Sequence, residues 1–432
     1  MRKFFKAFQI LVILAGIPVG IYLVGQATGF FGFASGTPAN LVIDAGTSFP
    51  DSHYAWKNLA QGGEEKGRML GNVVSQVSAL HPNYIRIDHV FDFYDIESNW
   101  TSLDQTITDI TSTGAKPFIS LSPLPDTPIN WPSWESKVQN LVQHISGTLG
   151  INNVYYEVGN EPDLFGGWKT YGNKNYFDLY AHSVAAALRA GGVRPFKIGG
   201  PGTTALYDSW AQGFAKFVLA NGLRLDFYSW HKYSTNLDNF ENNAINASAW
   251  LIESGLPNNI ELIISEIGPD SNNNAIYDSG FGAIHAISAA ATIEDSISKI
   301  FTFEIKDGPV NKWGILNHDG VAKPRYNALL FLNNMVGNRV MTTGQGSWVK
   351  AFSKTDGKII RTLVVNYDPK GTHTEAVPLN YTNLPSRSFE YKRIDWGVGV
   401  VRDLGVATDS ANWSTLELMN PNTATIFEII QK

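Results

Sequence analysis

Residues 154–162 read VYYEVGNEP, a short apolar run that ends in glycine, polar residues and proline. A segment with helical spacing follows at 176–190, and this order of strand and helix occurs eight times along the chain. Regular alternation predicts an α/β fold with parallel strands and right-handed crossovers. Eight pairs fit a closed (β/α)8 TIM barrel better than an open doubly wound sheet. The predicted strands are residues 41–45, 84–90, 116–121, 154–158, 196–199, 227–233, 260–265 and 299–305.

The pattern changes after Gly337. Short apolar runs are separated there by turn signals such as TDG at 355–357 and DPKG at 368–371, and no helical period is present. This pattern predicts a C-terminal antiparallel β-sandwich. We therefore divide the chain into an N-terminal segment, a glycine-rich linker, a barrel and a sandwich, at residues 1–28, 29–40, 41–337 and 338–432.

The N-terminal segment has the composition of a membrane anchor or a signal peptide. Arg2, Lys3 and Lys6 precede an apolar run at residues 8–25. A run of this length is just enough to span a bilayer, and the basic flank would stay inside the cell. A cleaved signal peptide is the competing interpretation. Both predict an extracytoplasmic protein, anchored by this transmembrane helix or secreted, that contacts the membrane only through this segment.

The composition excludes several classes of function. The chain has no cysteine, which rules out disulfides, thiolate metal sites and thiol nucleophiles. A net charge of −6 disfavours nucleic-acid binding, because a surface that follows phosphates needs a basic excess. The histidines show no H-E-x-x-H spacing, so we expect no metal and no cofactor. Aromatic residues make up 12% of the chain, which predicts exposed or cleft-lining rings of the kind that stack on sugars.

Two glutamates stand where predicted barrel strands end. Glu161 follows the fourth strand and Glu266 the seventh, each after an apolar run. Active-site residues of such barrels lie at the C-terminal ends of the strands. A buried ion pair with a barrel arginine would explain one such glutamate more readily than two. Cleavage of a glycosidic bond needs two carboxyl groups, one to protonate the leaving oxygen and one to attack the anomeric carbon or activate water.

Several segments of the chain resemble a known enzyme family. The sequence NEP at 160–162 resembles the acid/base signature of the clan A glycoside hydrolases. The chain as a whole resembles glycoside hydrolase family 39, which includes β-xylosidases, α-L-iduronidase and bacterial exopolysaccharide hydrolases. The similarity runs in order through YIRIDH at 84–89, YYEVGNEPD at 155–163, KIGGPG at 197–202, DFYSWHKY at 226–233, ISE at 264–266, WGIL at 313–316 and KPRY at 323–326.

This resemblance implies a role for each matching residue. Glu161 would be the general acid/base and Glu266 the nucleophile, which implies retention of anomeric configuration. Asn160 would hydrogen-bond the sugar 2-hydroxyl, with a strand-end turn residue as the alternative. Tyr233 would hold Glu266 ionised, and Arg86 would lower the pKa of Glu266 unless it forms a purely structural ion pair.

Histidines at two strand ends are further candidates. His231 would contact the sugar or the nucleophile, and a satisfied core histidine is the alternative. Alternation along a strand lets only one of Asp88 and His89 face inward, and we favour His89 as the substrate-binding residue.

Aromatic side chains are the remaining substrate-binding candidates. Phe303 or Trp313 would form the floor of the sugar subsite, unless Glu304 makes that subsite polar. Trp168 would stack on a neighbouring sugar or pack a lid, with neither favoured.

Together these patterns predict a retaining glycosidase that acts on an oligo- or polysaccharide. A catalytically silent carbohydrate-binding surface protein on the same barrel is the alternative.

Overall fold

A computed structural model describes residues 36–50, 54–63, 66–124, 128–294, 296–310 and 312–432. The strands are β1 (Leu41–Phe49), β2 (Asn58–Gln61), β3 (Tyr84–Ile87), β4 (Lys116–Leu121), β5 (Val154–Val158), β6 (Phe196–Thr203), β7 (Phe227–Tyr233), β8 (Glu261–Gly268), β9 (Lys299–Phe303), β10 (Asn338–Thr343), β11 (Val349–Thr355), β12 (Ile359–Asn366), β13 (Glu375–Thr382), β14 (Ser388–Asp395), β15 (Gly399–Ala407), β16 (Trp413–Met419) and β17 (Thr423–Gln431). The helices are α1 (Val74–Ala79), α2 (Val90–Phe93), α3 (Thr101–Ser112), α4 (Trp131–Val142), α5 (Tyr176–Arg189), α6 (Asp208–Ala220), α7 (Asp238–Glu253), α8 (Gly280–Ile293) and α9 (Pro324–Leu332). A π-helical turn, Gln143–Thr148, extends α4, and a 3-10 turn, Ala275–Asp278, precedes α8.

Strands β2 to β9 form a closed parallel barrel, as the alternation predicts. In β5, Tyr155 points into the barrel interior, while Val154, Tyr156 and Val158 pack in the layer between barrel and helices. Both faces of the strand are buried, which explains why its sequence is almost continuously apolar. The same alternation directs Glu157 inward, below the C-terminal rim of the barrel.

The first barrel strand was predicted at the wrong place. Residues 41–45, predicted to begin the barrel, belong to β1, which pairs with β10 and β13 of the C-terminal sheet. The barrel begins instead at β2, whose sequence NLAQ pairs with β3 and β9. The apolar, β-branched sequence of β1 is equally typical of a barrel strand and of a sandwich strand.

The remaining strands form one nine-stranded sheet in the order β15-β14-β17-β12-β11-β10-β1-β13-β16. The pairings are antiparallel except that of β1 with β13. The sheet curls so that its two ends approach each other. Tyr391 of β14, near one end, donates a hydrogen bond of 2.9 Å to Glu417 of β16, at the other end. An apolar core fills the space inside this curl. The predicted C-terminal sandwich is thus a single curled sheet completed by an N-terminal strand.

The barrel and the curled sheet are in close contact. Helix α8 packs against β11 and β12, and the ring centroids of Trp56 and Phe352 lie 5.4 Å apart. The Lys354 ammonium at this interface lies 3.3 Å from Glu294 Oε1 and 4.0 Å from the ring centroid of Tyr54. The buried contact fixes the sheet against one side of the barrel.

The predicted anchor or signal segment, residues 1–28, lies outside the described residues. Within the part of the chain that the structure describes, no helix combines the length and the apolar character needed to cross a membrane.

Candidate active site

Glu161 follows β5 through a tight turn. Gly159 has a φ of +100°, and a Cβ there would lie 2.7 Å from the Pro201 carbonyl oxygen, so only glycine fits. Glu161 itself has a φ of 45°, a left-handed conformation that costs a non-glycine residue about 1–2 kcal/mol. Its N–H donates a hydrogen bond of 2.8 Å to the Gly202 carbonyl. The turn brings the Glu161 side chain to the C-terminal rim of the barrel, where 17% of it is exposed.

Glu266 lies within β8, opposite His231 of β7 in the strand register. Its side chain is only 8% exposed. Arg86 Nη1 donates to Glu266 Oε1 at 2.9 Å, and the Tyr233 hydroxyl donates to Oε2 at 2.7 Å. Because each oxygen has its own donor, the orientation of this carboxylate is fixed.

His231 bridges the two carboxylates. Its Nδ1 lies 2.9 Å from Glu161 Oε1 and 3.3 Å from Glu266 Oε2, and its side chain is fully buried. A carboxylate oxygen of Glu161 lies within 4.8 Å of one of Glu266. The two glutamates predicted from strand ends therefore face each other.

The surroundings shift the pKa values of these three groups in different directions. Burial raises the pKa of Glu266, and the charges of His231 and Arg86 offset this only in part. Burial also acts to raise the pKa of Glu161, but the hydrogen bond and charge of His231 outweigh it, so that pKa is lowered. Burial opposes the charged form of His231, but the two carboxylates raise its pKa.

The predicted effect of Arg86 on Glu266 is present but is not the largest one. Arg86 does act to lower the pKa of Glu266, as predicted, but the net direction is upward because burial is the larger effect. Because His231 contacts both carboxylates, the three groups titrate together rather than independently.

Arg86 is fully buried beneath the pair and uses three nitrogens on three acceptors. Nε donates to Glu157 Oε2 at 2.8 Å, Nη1 to Glu266, and Nη2 to Asn160 Oδ1 at 2.8 Å. Asn160 donates in turn from Nδ2 to Asp88 Oδ2 at 3.3 Å. This network joins the ends of β3, β5 and β8 and holds Asn160 and Glu266 in one arrangement.

A cleft opens above the two carboxylates at the C-terminal face of the barrel. The predicted positions that line it together with both glutamates are Asn160, His89, Tyr233, Phe303 and Trp313. The ring centroid of Phe303 lies 6.4 Å from that of Tyr233 and 5.9 Å from that of Trp313, so these rings form an aromatic wall. Glu304 is fully buried and accepts a hydrogen bond of 3.0 Å from Gln61, which removes it from the cleft lining.

Among the described residues, Glu161, His231 and Glu266 are the one group whose side chains could together ligate a metal ion. The Arg86 guanidinium already contacts Glu266 at 2.9 Å, and its charge would repel a bound cation. The arrangement is better described as two carboxylates bridged by a histidine.

The comparisons with known proteins agree with this geometry. Residues 80–277, which contain both glutamates, match the family model described as glycosyl hydrolases family 39. The similarity to that family covers just under half of the chain. A β-xylosidase of Caldicellulosiruptor saccharolyticus is 24% identical over 283 residues, which is 55% of this chain and 57% of that protein. The match thus spans little more than half the length of that relative.

Solved structures share the fold over nearly the whole chain. A GH39 enzyme from Xanthomonas axonopodis pv. citri has 17% identity and a TM-score of 0.74, covering 92% of this chain and 98% of that one. A monomeric β-xylosidase from Caulobacter crescentus CB15 has 16% identity and a TM-score of 0.75, covering 91% and 99%. At these identities the likeness shows the fold, a TIM barrel with a curled antiparallel sheet.

The structure bears on two alternatives that the sequence left open. Trp168 is 4% exposed and packs in the core between barrel and helices, next to the cleft but not lining it. This burial favours the packing alternative over stacking on a sugar. Asp88 and His89 both line the cleft, since β3 ends at Ile87 and the alternation rule stops there.

The sequence patterns missed several residues that shape the site. Glu157 is fully buried and forms the ion pair with Arg86. Gly63 lies so close to His89 that a Cβ would fall 2.2 Å from the imidazole ring. Phe165 lines the cleft and is 50% exposed. An exposed aromatic residue shortly after NEP was a signal that could have identified Phe165.

Proposed function

We propose that this chain is a retaining glycosidase that cleaves O-glycosidic bonds of an oligo- or polysaccharide by double displacement. The observation that carries the proposal is the facing pair of Glu161 and Glu266, with carboxylate oxygens within 4.8 Å. Carboxyl groups about 5–5.5 Å apart are typical of retaining enzymes, and about 6.5–9.5 Å of inverting ones. The short separation favours direct attack by a carboxylate over attack by an activated water.

The surroundings of the two glutamates support different roles. Glu266 is held by Arg86 and Tyr233 with its oxygens fixed toward the cleft, as a nucleophile requires. Glu161 is the more exposed of the two and its carboxylate is bonded to His231, which keeps a proton within reach. A sugar that covers Glu161 removes its remaining water, which raises its pKa and favours the protonated acid.

In the first step, Glu266 attacks the anomeric carbon while Glu161 gives its proton to the leaving oxygen. The glycosyl ester on Glu266 carries no charge, so the pKa of Glu161 falls and it becomes a base. In the second step, Glu161 takes a proton from water as that water attacks the anomeric carbon and releases Glu266. Two inversions give net retention.

The test is hydrolysis of a panel of aryl glycosides and polysaccharides, with product anomers followed by NMR. We expect the first-formed product to keep the anomeric configuration of the substrate. We also expect Glu161→Ala and Glu266→Ala each to lower kcat by several orders of magnitude, because each removes one half of the mechanism.

Azide distinguishes the two roles. It should rescue Glu266→Ala with formation of a glycosyl azide of inverted configuration, and Glu161→Ala with one of retained configuration. Normal turnover in either variant, or an inverted product from the wild type, would contradict the proposal. Sugar binding without any hydrolysis would favour a silent binding protein instead.

A further inference from the structure

The cleft contains a lysine that the proposed chemistry does not use. Lys232 is the penultimate residue of β7, between His231 and Tyr233, and its side chain is half-buried along the cleft lining. Among the described residues it has no hydrogen-bond or ion-pair partner. Partial burial lowers the pKa of Lys232, with no carboxylate opposing the effect. A half-buried charge without a counter-ion is unfavourable. A lysine in this position beside the carboxylate pair therefore points to an anionic ligand.

Neighbouring carboxylates do not provide that counter-ion. The ammonium forms no ion pair with Glu161 or Glu266, whose oxygens are held by His231, Arg86 and Tyr233. Asp163, the acidic residue of the loop that follows Glu161, accepts a hydrogen bond of 3.0 Å from the Thr204 N–H.

The position of Lys232 in the barrel indicates which part of a substrate it would meet. The loops that follow β5 and β6, the two strands before β7 in the barrel order, contribute Leu164, Phe165, Thr204 and Ala205 to the cleft lining. Leu164 and Phe165 are 61% and 50% exposed and lie on the loop that carries Glu161. Because the acid protonates the leaving oxygen, the leaving group occupies the side of Glu161. Phe303 and Trp313 come from the end of β9 and the loop after it, beyond β8 and Glu266 in the barrel order, whereas the third ring of the aromatic wall, Tyr233, lies on β7 itself.

We propose that the leaving-group side of the cleft binds a sugar residue with an anionic substituent, and that Lys232 recognises that anion. The inference rests on the proposed glycosidase function, which defines the leaving-group side. Phe165 and Leu164 offer an apolar surface for the face of the same sugar ring. A carboxylate and a sulfate share the chemistry that an ammonium recognises, so the substrate class is an acidic glycan.

The experiment compares matched polymers with and without the charge. One arm uses a uronic-acid polysaccharide and its carboxyl-reduced form, and the other a sulfated polysaccharide and its desulfated form. We expect kcat/KM of the wild type to be about tenfold or more higher for the charged member of one pair, from the typical strength of a hydrogen bond to a charged group. The arm in which the preference appears identifies the anion.

Variants assign the preference to Lys232. In Lys232→Gln the ratio of kcat/KM for charged and neutral members should fall towards one, and Lys232→Arg should retain most of it. Lys216→Gln removes an exposed lysine of α6 and serves as the matched control, with the ratio of the wild type. Equal rates for both members of both pairs in the wild type, or an unchanged ratio in Lys232→Gln, would overturn the inference.

A binding measurement separates this inference from the proposed function. Calorimetric titration of Glu161→Gln with uronic-acid and sulfated oligosaccharides needs no hydrolysis. If Glu161→Gln binds these oligosaccharides and loses that affinity on adding Lys232→Gln, while the wild type hydrolyses no glycan, the anion site is supported and the glycosidase is refuted. Hydrolysis of neutral glycans with the same kcat/KM as their charged counterparts would support the glycosidase and refute the anion site.

Discussion

His231 is the residue through which Glu161 and Glu266 influence each other. One nitrogen lies within 3.3 Å of an oxygen from each carboxylate, so a charge on any of the three groups changes the pKa of the other two. A strand-end histidine was predicted to contact the sugar or the nucleophile. The structure shows it fully buried between the two carboxylates, with no place in the cleft lining.

This arrangement predicts a pH dependence. A nucleophile must be ionised, and burial raises the pKa of Glu266, so activity should fall as the pH drops through a value above the usual range of a glutamate. His231→Gln removes a positive charge that acts to lower that pKa. We therefore expect the acid limb of kcat/KM against pH to move to higher pH in the variant.

The control for this measurement is His182→Gln. His182 lies on α5 and pairs with Glu135, away from the cleft, so its loss should leave the acid limb in place. An acid limb that stays unchanged or moves to lower pH in His231→Gln would refute the coupling between His231 and Glu266.

Sequence patterns identify site residues that stand at a recognisable place along the chain. They miss site residues whose role depends on contact with a residue far away in the sequence. Glu161 and Glu266 were found because each stands at the end of an apolar run. Glu157 lies inside such a run, and its partner Arg86 is 71 residues away along the chain. Only the closed barrel brings the two side chains together.

At the scale of elements, β1 and β2 show where local sequence misleads. The run LVIDA in β1 has the β-branched character of a barrel strand, whereas NLAQ in β2 begins and ends with polar residues. Those polar ends are buried and reach strand β9 and the residue that follows it: Gln61 donates to Glu304 at 3.0 Å and Asn58 donates to Ile300 O at 3.5 Å, in addition to a local bond from Asn58 to Ala55 O at 2.8 Å. Tertiary hydrogen bonds therefore stabilise a strand that its own composition does not indicate.

The position of β1 predicts different outcomes for two truncations. Deleting residues 1–50 removes the strand between β10 and β13 and leaves two unpaired strand edges inside the sheet. We expect this protein to be aggregated or unfolded, as judged by solubility and by circular dichroism during heating. Deleting residues 1–35 keeps β1 and should give a folded protein with a cooperative thermal transition. A folded, soluble product of the longer deletion would contradict the assignment of β1 to the sheet.

At the scale of the whole molecule, the barrel lies between two segments of the chain that build one sheet. The apolar core around the barrel continues into residues Phe352, Leu363 and Val365 of that sheet. The boundary predicted at residue 41 could not be placed correctly from local patterns, because the pairing of β1 with β10 and β13 joins segments on opposite sides of the barrel.

The sequence of residues 1–28 leads to a proposal about the location of the protein. We propose that this segment directs the barrel to the outer side of the membrane, as an anchor or as a cleaved signal. If the segment is an anchor, full-length protein expressed in bacteria should appear in the membrane fraction, from which detergent extracts it and salt does not. If the segment is a cleaved signal, the protein should appear outside the cytoplasm without residues 1–28. The form lacking residues 1–35 should remain soluble in the cytoplasm. Full-length protein in the soluble cytoplasmic fraction would refute the proposal.

The pairing of β1 also determines the order in which the molecule can be built. During synthesis β1 leaves the ribosome before any barrel strand, but its partners β10 and β13 emerge only after the whole barrel. The growing chain therefore carries a strand with two open edges while the barrel closes, and such edges favour pairing with other chains. Protection of β1 until the last segments arrive is a requirement for correct assembly of this protein in the cell.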